Sequence, residues 1–131
     1  MNHSPRNLKF TRSHEWVRVE GRKLVIGITH FAQQQLSQIV NVDLPEPGDH
    51  HCYHAGEDFG IIESVKAAAD FSAPVAGTVV AVNTELLHAP ELINSDPYGA
   101  GWIIEMEPEN PADVNRLIDS DAYEALLPEE D

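Results

Sequence analysis

"IIESVKAAAD", residues 61–70, places one lysine, Lys66, among serine and alanine at the end of a strand-like apolar run. Lys9 and Lys23 are the only other lysines, and between Lys23 and Arg116 no further lysine or arginine occurs besides Lys66. Residues 59–64 read as a strand and "ADFSAP" leads away on the far side, so Lys66 falls at or near a hairpin tip. Ser64, Ala67, Ala68 and Ala69 leave its ammonium sterically open. Two readings fit these residues: an ordinary exposed turn lysine, or a lysine held out for acylation by another enzyme. A hairpin apex projects an amine beyond its neighbours and leaves a long attached arm free to swing. A solvated lysine is protonated at neutral pH and is a poor nucleophile, so the modifying enzyme would have to take the proton.

Outward from that hairpin the chain reads as further short strands. "HEWVRV", residues 14–19, a turn at 20–22 and "LVIGI", residues 24–28, predict a β-hairpin. Thr29 is a suitable N-cap for a short helix, "HFAQQQLS", with Ala32 and Leu36 on one face. "IVNVDL", residues 39–44, predicts a regular strand with Val40, Val42 and Leu44 on one side and Ile39, Asn41 and Asp43 on the other. Residues 78–82 and 102–107 predict two more strands, with "NSDPYGAG" as a loop before the second. Asn110 can cap a short helix with Pro111 at its first position, and Ser120 can cap another that Pro128 stops. Many short strands with small helices toward each end predict a flattened sandwich or barrel, not alternating βαβ units. No linker divides residues 1–131, so a single domain with its core at about 8–127 is expected.

Bulk properties narrow the function. Hydrophobic residues make up 42% of the 131, enough for a packed core. The net charge of −14 argues against binding to a phosphate backbone, which needs a basic face, and suits partners with basic docking patches; no nucleic acid is expected. A single cysteine, Cys52, forms no internal disulfide, which fits a reducing compartment. No apolar run approaches the roughly 18–20 residues of a membrane span, and "MNHSPRNLKF" has no signal core, so a cytoplasmic, membrane-free protein is expected. His50, His51, Cys52 and His54 invite a metal reading. Structural zinc wants four ligands at fixed spacing, and adjacent histidines in a loop after Pro and Gly read as solvent-facing; no metal site is expected. Trp16 and Trp102 read as core or near-core anchors. Without a histidine triad or a Gly-rich phosphate loop, the chain reads as a carrier and not as a catalyst.

"HEWV" at 14–17, "GIT" at 27–29, "LPEPGD" at 44–49, "ESVKAA" at 63–68, "DPYGAGW" at 96–102 and "AYEALL" at 122–127 follow one another in order. In this the chain resembles the H protein family of the glycine cleavage system, from near its N-terminus to the last helix. The resemblance implies a mostly β barrel-sandwich hybrid of the lipoyl/biotinyl-carrier kind, with short helices near the N-terminal third and at the C-terminus. It implies (R)-lipoate bound covalently to Lys66 as N6-lipoyl-lysine. Glu63 and Gly77 match positions that help present the hairpin to the lipoylating enzyme, a lipoate ligase or octanoyltransferase. The implied partners are glycine decarboxylase (P protein), aminomethyltransferase (T protein) and dihydrolipoyl dehydrogenase (L protein), served by a monomeric carrier. In the family the loaded arm folds back into a cleft, for which Ser13, Glu15, Ile28, Ala32, Leu36, Ala67 and Asp70 match the lining positions. Glu15 and Asp70 would hold the cationic amine there, and the apolar residues would shield the sulfur. The chain departs from the family pattern at Gln35, where some members have histidine, at Ser37 and Gln38, and in a longer loop at residues 48–60.

Other readings of the same hairpin stay open. A lipoyl or octanoyl donor in lipoate biosynthesis needs the same lysine. Biotin acceptors favour methionine on both sides, where this chain has Val65 and Ala67. The length, the "SHEWV" start and the terminal helices count against a lipoyl domain of an acyltransferase. A β-sandwich interaction protein with an unmodified Lys66 is the remaining alternative.

Overall fold

A computed structural model describes Pro5, residues 7–45 and residues 52–127. Valine, isoleucine and aromatic residues build its strands, as β-branched and ring side chains suit a pleated, half-buried surface. The first sheet combines β1 (Lys9–Phe10), β2 (Glu15–Glu20), β3 (Lys23–Ile28), β5 (Cys52–Tyr53), β8 (Gly77–Val82) and β9 (Ile104–Pro108) in the order β1-β2-β3-β9-β8-β5. The second combines β4 (Ile39–Asp43), β6 (Asp58–Ser64) and β7 (Ala68–Ser72), with β6 in the middle. Every pairing is antiparallel. Gly21 turns β2 into β3 with φ of 63°, a left-handed conformation that glycine adopts without penalty.

Three α-helices, α1 (His30–Leu36), α2 (Leu92–Ser95) and α3 (Ser120–Leu126), and two 3-10 helices, Thr84–Leu87 and Pro111–Arg116, fill the connections among the described residues. Two apolar clusters hold these layers together. The larger one joins both sheets through Ile26, Ile39, Ile62, Phe71, Val79 and Met106. The smaller one, Leu8, Phe10, Trp16, Val25 and Tyr123, closes the end where α3 meets β1, with the Phe10 and Tyr123 rings stacked 4.7 Å apart.

The predicted architecture of a mostly β sandwich with short helices holds. Several details differ. The strand from Ile39 is not regular: its register with β6 shifts between Ile39 and Asn41. One extra residue in a bulge resets the alternation, so Ile39 and Val42 are both buried while Val40 is 47% exposed. Thr29 caps α1 as expected, its Oγ1 accepting from Ala32 N–H, and Asn110 accepts from Ala112 N–H ahead of Pro111. Asp119, not Ser120, caps α3: its carboxylate accepts from Ala122 N–H, and Ser120 is the first helical residue. The stretch read as a loop, residues 94–101, begins inside α2, and β9 starts at Ile104, two residues later than expected. The two-residue strands β1 and β5 were too short to carry a periodic signal. Pro128, most of the "LPEPGD" motif, His50 and His51 lie outside the described residues. Among the described residues no helix is long and apolar enough to cross a membrane.

Candidate functional site

β6 and β7 form a tight hairpin whose apex is residues 64–68, with Glu63 opposite Ala68 in the last register pair. Ser64 closes the apex locally. Its N–H donates to the Ala67 carbonyl at 2.8 Å, and its hydroxyl oxygen accepts from the N–H groups of Lys66 at 3.1 Å and Ala67 at 3.0 Å. A serine in this place does what a turn residue is favoured for, satisfying backbone donors that a two-stranded ladder leaves over. Lys66, Ala67 and Ala68 are exposed, and the flanking Val65 is 65% exposed. The Lys66 ammonium donates to the Gln35 carbonyl, in the last turn of α1, at 3.3 Å. An exposed long bond to one carbonyl is weak, so the amine is free to leave it.

Glu63 projects outward on the same hairpin, and Asn41 on the neighbouring β4 donates to its Oε1 at 2.7 Å. Gly77 lies elsewhere. It is buried in the first sheet between Tyr53 and Pro108, and a Cβ there would stand 2.5 Å from the Glu107 carbonyl oxygen. Ile28 ends β3 inside the larger core, while Ala32 and Leu36 pack half-buried against that core from α1, the helix that meets Lys66. Asp70 is exposed on β7 opposite Ile61, lining a shallow depression of about 360 Å³ with Asp43, Asp58 and Tyr53. Ser13 and Glu15 line a second depression, of about 300 Å³, with Arg12, Arg116 and Pro74 at its edges.

Glu15 is the buried carboxylate of the set, only 2% exposed. Its Oε1 accepts from the hydroxyls of Thr11 and Ser13, both at 2.6 Å, and its Oε2 takes a long 3.4 Å bond from Ser72 N–H on β7. Loss of water raises its pKa above the ordinary value near 4.5, the three donors opposing that shift. Its contribution to folding is therefore fully present below the unfolded-state value and is lost as pH rises through the higher folded-state value. Glu15→Gln removes the titration, so its stability in urea is expected to fall less than that of the wild type from about pH 4 to pH 7. Parallel profiles for the two proteins would show that Glu15 is not the group responsible.

Several contacts had no sequence signal. His14 bonds through Nδ1 to the Tyr123 hydroxyl at 2.8 Å, and that hydroxyl is 2.7 Å from Thr29 Oγ1, so α3 is tied to the cap of α1. Thr11 reaches Glu15 across a turn and Asn41 reaches Glu63 across two strands, contacts that the spacing of residues does not reveal. Cys52 and His54 are exposed, and among the described residues no group of three His, Cys, Asp or Glu side chains could hold a metal ion. Trp16 is fully buried, and Trp102 is partly buried against the smaller cluster.

A two-sheet sandwich that presents a lysine at the apex of one hairpin has a fold of the lipoyl-carrier kind. Residues 8–130 match the family described as glycine cleavage H-protein. The glycine cleavage system H protein of Carboxydothermus hydrogenoformans is 50% identical over 126 residues, covering 96% of this chain and 95% of that one. That of Acinetobacter baumannii is 50% identical over 127 residues, covering 97% of this chain and 100% of its own. The crystal structure of a glycine cleavage system H protein from Mycobacterium marinum superposes with a TM-score of 0.83 at 34% identity, covering 93% of this chain and 97% of the other. The chain belongs to the glycine cleavage H-protein family.

Proposed function

We propose that this protein is the lipoyl-bearing carrier of the glycine cleavage system in the cytoplasm. It would bring the aminomethyl group of glycine from the decarboxylase to the tetrahydrofolate-dependent aminomethyltransferase and then meet dihydrolipoyl dehydrogenase for reoxidation. The observation that carries this reading is the exposed Lys66 at a serine-closed apex flanked by small side chains, in a chain of this family. The residues fit the group: the amine has an open approach and breaks only a weak contact when it is acylated. Bound there as an amide, lipoate supplies a redox-active sulfur pair on a long arm. The protein itself performs no bond-making step. Its backbone fixes where the arm is rooted, and tethering raises the effective concentration of the carried group at each docked enzyme.

Other residues take supporting parts in this proposal. Glu63, pinned by Asn41 three residues before the lysine, marks the hairpin for the lipoate ligase or octanoyltransferase. Gly77, being buried, affects that recognition through the shape of the sheet. Glu15 and Asp70, with Ser13, offer oxygens to a cationic amine, and Ile28, Ala32, Leu36 and Ala67 offer apolar surface to the arm. Glu63→Ala is expected to slow lipoylation several-fold while shifting stability by less than about 0.5 kcal/mol, because Glu63 is exposed. Equal rates of modification would remove Glu63 from recognition.

Deletion of the gene tests the role in the cell. Loss of growth on glycine as nitrogen source, with lipoylation of the 2-oxoacid dehydrogenases intact, is the expected result. Growth on glycine with unlipoylated dehydrogenases would replace this reading with that of a lipoyl donor.

A further inference from the structure

We propose that Asn94 is a positioning residue for Lys66, acting through the peptide group that joins Gln38 to Ile39; its consequence for modification rests on the carrier reading. Asn94 sits in α2, and its carboxamide is devoted to the connection between α1 and β4. Its Oδ1 accepts from Ile39 N–H at 2.8 Å, and its Nδ2 donates to the Ser37 carbonyl and to Gln33 Oε1, each at 2.8 Å. The Ser37 carbonyl and the Ile39 N–H are the pair of groups that an adjacent strand would take. Asn94 thus stands in for a strand where β4 shifts its register against β6.

The peptide plane carries the effect further. In a trans peptide the N–H and C=O point in opposite directions, and no cis bond occurs among the described residues. With Ile39 N–H held by Asn94, the Gln38 carbonyl is turned toward the lysine hairpin, where it accepts from Val65 N–H at 3.0 Å. The Gln35 carbonyl, in the last turn of α1, accepts from Lys66 Nζ. The apex thus meets α1 at Gln35 and the α1–β4 connection at Gln38, the latter through the backbone of the residue before the lysine. The Ser64 hydroxyl closes the turn internally, while the residue itself lies opposite Ile39 in the β4–β6 register. The connection needs outside support, because Ser37 holds a φ of 67°, in the region that favours glycine.

Amide hydrogen exchange and lipoylation kinetics on the full chain test the proposal, with Asn94→Ala and Asn94→Asp as variants. Val65 N–H is expected to exchange faster in Asn94→Ala, while Ile103 N–H, bonded to the Ile26 carbonyl at 2.9 Å in the core, keeps its rate. Asn94→Asp keeps the acceptor for Ile39 but loses both donors, so Val65 should exchange at an intermediate rate, and this variant serves if the alanine variant does not fold. With a lipoate ligase, lipoate and ATP, KM for Asn94→Ala should rise about 3- to 10-fold at nearly unchanged kcat, the size of one lost hydrogen bond. Unchanged exchange at Val65, or equal acceleration at Val65 and Ile103, overturns the positioning role. A wild-type chain that the ligase leaves unmodified overturns the carrier reading instead, and the exchange rates still decide whether Asn94 orders the apex.

Discussion

Protein isolated from its own cells is expected to be heavier than its sequence by one lipoyl group, and Lys66→Arg is expected to abolish that increment completely. Arginine keeps a positive charge on a flexible stem but has no amine that can form the amide, and its guanidinium stays protonated. The substitution therefore removes the acylation chemistry while leaving the hairpin its charge. Stability should change by no more than about 0.5 kcal/mol, since the side chain is exposed and makes one weak contact. The other lysines are poor substitutes. Lys23 is held by the Glu105 carboxylate at 2.9 Å, and Lys9 lies half-buried within a two-residue strand; neither stands at a serine-closed apex. Peptide mapping after digestion locates the added mass. An unmodified wild-type chain, or an increment that survives in Lys66→Arg, would refute Lys66 as the attachment site.

Why the lysine stood out, while the structure around it did not, follows from the range of the forces involved. The apex is built by neighbours in sequence: Ser64 bonds to residues two and three positions on, and small side chains flank the amine. Such a unit is written locally. Strand existence was legible for the same reason, through valine, isoleucine and threonine within the five- to seven-residue segments that form β4, β6 and β8. The bulge in β4 was not, because it is set by pairing with β6, some twenty residues away, where Val42 meets Ile62. Regular alternation was the reasonable expectation from sequence, and burial of Ile39 together with Val42 overrode it. The cap of α3 was missed by one residue, since Asp119 and Ser120 are both good capping residues and only the backbone decides between them.

The candidate arm cleft shows the same division. Family motifs point to Glu15 and Asp70 alike, yet the fold treats them differently. Glu15 is sunk beneath two hydroxyls and Asp70 stands in solvent. A buried, hydroxyl-bonded carboxylate is costly to keep charged, and an exposed one is not. The two carboxylates also line separate depressions, and residue order does not announce the difference in their burial. Thr11 and Ser13 precede Glu15 in the turn, but their hydroxyls reach it only because β1 pairs back onto β2.

Trp16→Ala is expected to cost about 3–5 kcal/mol, the usual range for removing a buried tryptophan and a large share of a domain's total of about 5–15 kcal/mol. Trp16 is fully buried in the smaller cluster, and its indole N–H donates to the Pro97 carbonyl at 2.8 Å. Loss of the ring leaves that buried carbonyl without its donor as well as a cavity. The loop it anchors carries Tyr98, whose hydroxyl accepts from His30 N–H at the start of α1 at 3.0 Å, so the damage reaches the helix that supports the lysine apex. Gly27 tests whether packing is the cause. A Cβ at Gly27 would stand 2.7 Å from the indole nitrogen, so Gly27→Ala should destabilise the wild type by about 1–3 kcal/mol through overpacking. In a Trp16→Leu background the same change should cost clearly less, because the ring it collides with is gone. Urea unfolding of the four proteins gives the coupling energy, expected at about 0.5–3 kcal/mol for residues in contact. Additive costs within about 0.3–0.5 kcal/mol would mean that Gly27 is required for its backbone and not for the space it cedes to Trp16.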